Sequence, residues 1–171
     1  MSAQAGRSKA GSPKAYLSLG SNVEPERHLR AAIDALRERF GEVVVSPVYR
    51  VPAVGFDGPD FLNAAAIVES DLDPFALVEW LRDLERDNGR VRGPVKFNDR
   101  TLDIDLVYFG DVVLDERGLR LPRDELRHAF VLRPLAEIAP GFVDPVRGET
   151  LDALWRAHPD FAKPLDVVDI H

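Results

Sequence analysis

The sequence predicts an α+β fold, an α/β sandwich with a strand–helix–strand–strand–helix–strand core, on three observations. Leu29, Ile33, Leu36 and Phe40, and later Leu77, Leu81 and Leu84, recur at helical spacing. Strand-like runs at 14–20, 42–51, 61–70 and 100–111 alternate with those two helices in that order. The chain has 171 residues, 45% of them apolar, which is enough for a single domain to bury a core without staples.

Each element has its own signal. Residues 14–20 (KAYLSLG) alternate apolar and polar. Asn22 reads as a cap for a helix over 25–40 that ends at Gly41. In the strand 42–51, Pro47 marks an edge or a bulge. Residues 52–60 (PAVGFDGPD) are loop, and 61–70 form the third strand. Asp73 followed by Pro74 is a cap and first-turn proline, opening a helix that ends near Gly89. A polar loop over 90–99 leads to the strand RTLDIDLVYFGD, residues 100–111. This order is the split βαβ, or ferredoxin-like, pattern. A C-terminal hairpin over 112–121, a helical segment at 130–139 and a helix at 150–157 are added to it. Residues 1–13 read as a disordered lead-in, 14–157 as the single domain and 158–171 as a mostly polar tail. Trp80 and Trp155 read as core, and His28, among charged neighbours, as solvent-facing.

Composition narrows the function. There is no cysteine, so neither disulfides nor thiolate chemistry are available. A net charge of −7 disfavours nucleic acid as a partner. No apolar run approaches a membrane span, so no membrane partner is expected, and the first residues lack the apolar centre of a signal peptide. The expectation is a cytoplasmic monomer acting on small molecules.

The chemistry concentrates around residue 100. In a strand, Asp103 and Asp105 share a face, their Cα atoms about 6.6 Å apart, while Leu102, Ile104 and Leu106 take the other. Like charges that close repel, so they are either solvated or compensated by a divalent cation such as Mg²⁺. Arg90, Arg92, Lys96 and Arg100 immediately precede them. Guanidinium groups beside a carboxylate pair suit a nucleotide–Mg²⁺ site, although the same cations could simply pair with Asp99, Asp103 and Asp105. No P-loop is present, and the four histidines have no metal-ligand spacing. Gly20-Ser21-Asn22 is an anion nest or a plain turn. Phe61 and Asn63 share a strand face and could grip a flat heteroaromatic ring, or be core and backbone partner respectively; Phe130 has the same two readings.

Six blocks, AYLSLGSN, SPVYRVPAVG, PDFLNAA, GRVR, RTLDIDLVYFGD and AFVLRPLAEIAP, resemble in order the signatures of the 6-hydroxymethyl-7,8-dihydropterin pyrophosphokinase family, over residues 14–157. The resemblance implies a six-stranded sheet and transfer of pyrophosphate from ATP to the hydroxymethyl group of 6-hydroxymethyl-7,8-dihydropterin, releasing AMP. It implies two Mg²⁺ ions held by Asp103 and Asp105, with Asp105 also placed to help deprotonate the hydroxyl. Arg90 and Arg100 would contact phosphates, with Arg92 assisting catalysis, and Leu106 would line the adenine pocket. The pterin would lie between Phe61 and Phe130, read by Asn63 and by the backbone along Val51, Pro52 and Val54. The chain departs from the family pattern at Lys96-Phe97-Asn98-Asp99, at Arg123 where a histidine is usual after the proline, and at His128 where an arginine is usual. Arg120 and Arg123 are expected to take over ATP contacts. The alternatives are a diverged paralogue acting on another pterin, and a non-catalytic ferredoxin-like binding module.

Overall fold

Alternation in the first strand drives the whole architecture, because both faces of that strand are buried. The computed structural model describes residues 12–53, 58–89 and 101–170. Strand β1 (Lys14–Ser21) leads to α1 (Pro25–Phe40), then β2 (Val44–Val45), β3 (Val48–Val51), β4 (Phe61–Glu69), α2 (Pro74–Asp87) and β5 (Asp103–Phe109). The hairpin β6 (Leu114–Glu116) and β7 (Leu119–Leu121), a 3₁₀ turn at Asp124–Arg127, α3 (Ala129–Ile138), α4 (Leu151–Arg156) and β8 (Asp166–Val168) complete the chain. The main sheet has six strands in the order β5-β1-β4-β3-β8, with β2 also pairing β4, and every pair is antiparallel. Its first four elements in space are the ferredoxin-like arrangement that the strand and helix order predicts.

The sheet separates two cores. On one face Leu17, Leu19, Ile104 and Leu106 meet Leu29, Ile33 and Leu36 of α1 and Leu77, Leu81 and Leu84 of α2. On the other, Tyr16, Ala65, Val107 and Tyr108 meet Val131, Leu132 and Leu135 of α3 and Leu151 and Trp155 of α4. Trp155 is buried as expected, while Trp80 only packs against the edge of the first core, its ring 5.2 Å from that of Phe40.

Local chemistry accounts for the element ends. The Asp73 side chain caps α2, accepting the Ala76 N–H at 2.8 Å, with Pro74 in the first turn. Gly41 ends α1 at φ 90°, its N–H donating to the Arg37 carbonyl. Pro47 splits the second predicted strand into β2 and β3; at the break the Ser46 hydroxyl accepts the Ala65 N–H at 2.8 Å in place of a backbone carbonyl.

Three expectations are corrected. Asn22 does not cap α1. The chain turns through a left-handed Glu24 (φ 42°) into Pro25, and the Asn22 amide donates instead to the Pro59 carbonyl at 3.2 Å. His28 is buried, its Nδ1 2.6 Å from the Val23 carbonyl, because the segment before the helix folds back over its first turn. The segment read as a polar tail contributes β8, which pairs with β3 through Val48↔Val168, and Ile170 is buried in the first core. Arg30 donates to the Ile170 carbonyl and fastens that end. No helix among the described residues is long and apolar enough to cross a membrane.

Candidate active site

The second face of the sheet changes character along its length. Its apolar cluster stops at Ala65 and Val107, and beyond it the same face carries polar groups. The register sets them in rows: Asp103 opposite Gly20 and Gly20 opposite Asn63, then Asp105 opposite Ser18 and Ser18 opposite Ala65. A β-bulge between the Leu17↔Leu106 and Tyr16↔Tyr108 pairs inserts Val107 as an extra residue. Asp103, Asp105 and Tyr108 therefore lie on one side of β5, while Ile104 and Leu106 enter the first core.

Asn63 is buried, and its Nδ2 donates to the Leu19 carbonyl at 3.4 Å. Only glycine leaves the amide where it is: a Cβ at position 20 would stand 2.7 Å from that Nδ2. Phe61, two residues back on β4, is half-buried and pairs in register with Val51, with the exposed Pro52 following. Phe130 lies in the first turn of α3, half-buried, its ring stacked on His128 at 4.9 Å and 13°.

A cleft of about 710 Å³ runs along the β5 edge between α2 and the β6–β7 hairpin, and Asp103, Asp105, Leu106 and Arg123 line it. Glu85 of α2 closes the inner wall. Its carboxylate is buried and accepts the Ile104 N–H at 3.0 Å, satisfying an edge-strand donor. At the mouth, Arg117 lies over the Phe75 ring at 3.7 Å. The turn places Arg117 there by taking a left-handed conformation (φ 51°), with Gly118 at φ 78° after it.

Burial and the neighbouring Asp103 carboxylate push the Asp105 carboxyl up to about 7; Arg123 opposes the shift, and Glu85 and Glu125 add to it. Arg123 Nη2 lies 4.0 Å from Asp105 Oδ1 and 2.9 Å from Glu125 Oε2. Two carboxylates on one strand face are a donor set for a hard cation. Among the described residues no cluster of three or more His, Cys, Asp or Glu could cage a metal by itself. Two carboxylates with an open cleft beside them suit an ion that brings phosphate and water as its other ligands, which is the habit of Mg²⁺.

Of the residues singled out by sequence, the structure brings Asp103, Asp105, Leu106 and Arg123 together at the cleft. Arg120 is not among the cleft's lining. It sits on the outer side of the hairpin opposite Asp115, 3.5 Å from Asp124, in a separate groove, because alternation along β7 buries Leu119 and Leu121. Val54, Arg90, Arg92, Lys96 and Arg100 lie outside the described residues. Sequence reasoning missed Glu85, Phe75, Arg117 and Glu125. Glu85 did carry a signal: it follows Leu81 by four residues, on the buried stripe of its helix, where a carboxylate is out of place unless it has a donor.

A family model for 7,8-dihydro-6-hydroxymethylpterin-pyrophosphokinase matches residues 16–140. The 2-amino-4-hydroxy-6-hydroxymethyldihydropteridine pyrophosphokinase of Methylorubrum extorquens is 43% identical over 153 residues, 85% of this chain and 94% of that protein. The protein of the same name from Pseudomonas aeruginosa is 41% identical over 133 residues, 74% of this chain and 81% of that one. Among solved structures, wild-type HPPK-DHPS of Plasmodium falciparum superposes with a TM-score of 0.65 at 14% identity, over 85% of this chain and 41% of that chain. This chain thus spans about two fifths of that larger protein, and at such identity the likeness speaks for the fold.

Proposed function

The chain belongs to the 7,8-dihydro-6-hydroxymethylpterin-pyrophosphokinase family, and on that premise we propose that it transfers pyrophosphate from ATP to the hydroxymethyl group of 6-hydroxymethyl-7,8-dihydropterin, releasing AMP, a step of folate biosynthesis. The observation that carries the reading is the acidic pair at the head of β5, its Asp103 in one row with Gly20 and Asn63, opening on the cleft.

The pterin occupies the polar end of the sheet face. Phe61 and Phe130 offer it aromatic surface, Asn63 reads its polar edge, and the backbone along Val51, Pro52 and Val54 completes the contact. ATP lies in the cleft, its adenine against Leu106, with Arg90, Arg100 and Arg123 on its phosphates. Asp103 and Asp105 would hold Mg²⁺, two ions by family resemblance, which when bound supplies positive charge beside the β-phosphoryl oxygens.

In the reaction the hydroxymethyl oxygen attacks the β-phosphorus. A new O–P bond forms, the bond from that phosphorus to the α-phosphate bridging oxygen breaks, and AMP departs with the electron pair. The chain chiefly aligns the two substrates and stabilises charge. The hydroxyl proton passes to solvent or to Asp105, which the family resemblance places near the hydroxyl. Arg92 assists at the transferring group. The protein works as a cytoplasmic monomer, in keeping with its soluble-type composition and its net charge of −7.

The test is AMP release from ATP and Mg²⁺ with and without the pterin. Pterin-dependent AMP, lost in Asp103→Ala, is the expected result. ATP binding without AMP release would overturn the substrate assignment.

A further inference from the structure

Arg123 is held at three points. Its backbone N–H donates to the Val107 carbonyl at 3.2 Å, pinning the residue to β5 at the bulge. Its side chain forms a two-pronged pair with Glu125, Nε to Oε1 at 3.1 Å and Nη2 to Oε2 at 2.9 Å. Nη2 also faces Asp105 Oδ1, but at 4.0 Å, within ion-pair range and beyond hydrogen-bond range. Nη1 makes no hydrogen bond among the described residues, and both Arg123 and Glu125 line the cleft. Arg123 stands where the family resemblance leads one to expect a histidine after Pro122.

The physics of an arginine beside a poorly neutralised carboxylate gives Glu125 a task. Left alone, a guanidinium would close on Asp105 to make a charge-assisted fork. That contact would fill the place where a cation and phosphate have to enter. Glu125 offers the same fork two residues away and faces the guanidinium edge that would otherwise reach Asp105. The side chain is thus held with one nitrogen facing Asp105 and another with its donors unspent.

We propose that Glu125 is a positioning residue for nucleotide binding: it holds Arg123 as a fixed fork on the cleft wall, with Nη1 available to the triphosphate and the guanidinium kept off Asp105. This rests on the reading that ATP phosphates occupy the cleft. Glu125 itself touches no substrate in this scheme and acts through Arg123.

The experiment is calorimetric titration of Arg123→Ala, Glu125→Ala and the double variant with an unhydrolysable ATP analogue at fixed Mg²⁺, alongside pterin titrations and thermal melts. The Glu125 side chain is 41% exposed, so its variant is expected to keep the fold. Each single variant should weaken analogue binding about five- to tenfold, and the double variant no more than Arg123→Ala alone, while pterin affinity stays at wild type. Wild-type analogue affinity in Glu125→Ala, with Arg123→Ala weakened, would overturn the positioning role and leave the cleft assignment standing. Additive losses would also overturn it, because Glu125 would then act independently of Arg123. Wild-type affinity in Arg123→Ala would overturn the cleft assignment of the phosphates at Arg123 and the proposal with it.

Discussion

The Asn63 amide lies across Gly20 so closely that no side chain fits there unless the amide moves: an added Cβ would stand 2.7 Å from Nδ2. The atom it would strike is the end of a side chain, which can turn away. Gly20→Ala should therefore cost little stability and displace Asn63, the group we propose reads the pterin edge. We expect pterin affinity to fall about tenfold, the worth of one or two hydrogen bonds. Calorimetry beside a thermal melt checks this, and wild-type pterin affinity would remove Asn63 from the recognition scheme.

Asp105→Asn should separate stability from activity. Burial and Asp103 both disfavour the Asp105 charge in the ligand-free protein. Removing that charge at neutral pH should stabilise by about 1 kcal/mol, after discounting for solvent screening of a side chain 35% exposed. For a chain of this size that is about 2–4 °C in Tm. Turnover should be lost in the same variant. A lower Tm would show that the carboxylate is a stabilising element of the fold.

Glu85 tests whether the strand edge must be held for the acidic pair to work. Glu85→Ala leaves the Ile104 N–H without its acceptor at the head of β5. The expected cost is about 1–3 kcal/mol in denaturant unfolding. Mg²⁺-dependent binding of an ATP analogue should weaken as well, since Ile104 lies between Asp103 and Asp105. Glu85→Gln keeps an acceptor and should recover most of both losses; if Gln is as damaging as Ala, the charge of Glu85 matters rather than its hydrogen bond.

A pH-dependent contribution to stability comes from Asp144, fully buried behind β5. Burial alone would raise its carboxyl, but the Tyr108 hydroxyl at 2.5 Å, the N–H groups of Arg147 and Val146 and the Arg147 guanidinium together hold it below the usual carboxylate range. Because the folded value is the lower one, the stabilisation is full above the unfolded value of about 3.9 and fades as pH falls through the folded value. Asp144→Asn should thus lower Tm at pH 7, with the gap to wild type closing as the pH drops below about 4. Tyr108→Phe should cost about 1.5–3 kcal/mol at neutral pH, the range for a hydrogen bond to a charged group. A gap independent of pH would mean that shape, not charge, secures the Asp144 loop.

How much of this is legible in sequence follows from the range over which each signal acts. Periods of two and 3.6 residues are local, so the core stripes of α1 and α2 and the common face of Asp103 and Asp105 can be read directly. The pairing of Asn63 with Gly20 is less visible, because register joins residues more than forty positions apart. His28 reads as exposed because its neighbours Arg27 and Arg30 are charged, yet its burial depends on the segment at Val23 folding back. The 158–171 segment reads as polar tail because a three-residue strand has too few residues to show alternation; only its pairing with β3 defines it. Glu125 and Arg117 belong to turns whose geometry, and not their residue type, brings them to the cleft.

The extra residue in β5 sets a parity that the molecule depends on. In an unbroken strand, Asp105 and Tyr108, three positions apart, would point to opposite faces. Because Val107 has no partner of its own on β1, odd positions before it and even positions after it share a side. The phenol fastened to Asp144 and the carboxylate at the cleft are thereby carried on the same surface of one strand. Pairing β5 with β1 in an unbroken register, with no bulge at Val107, would leave every side chain in the sequence unchanged and still send the anchor and the site to opposite sides of the sheet.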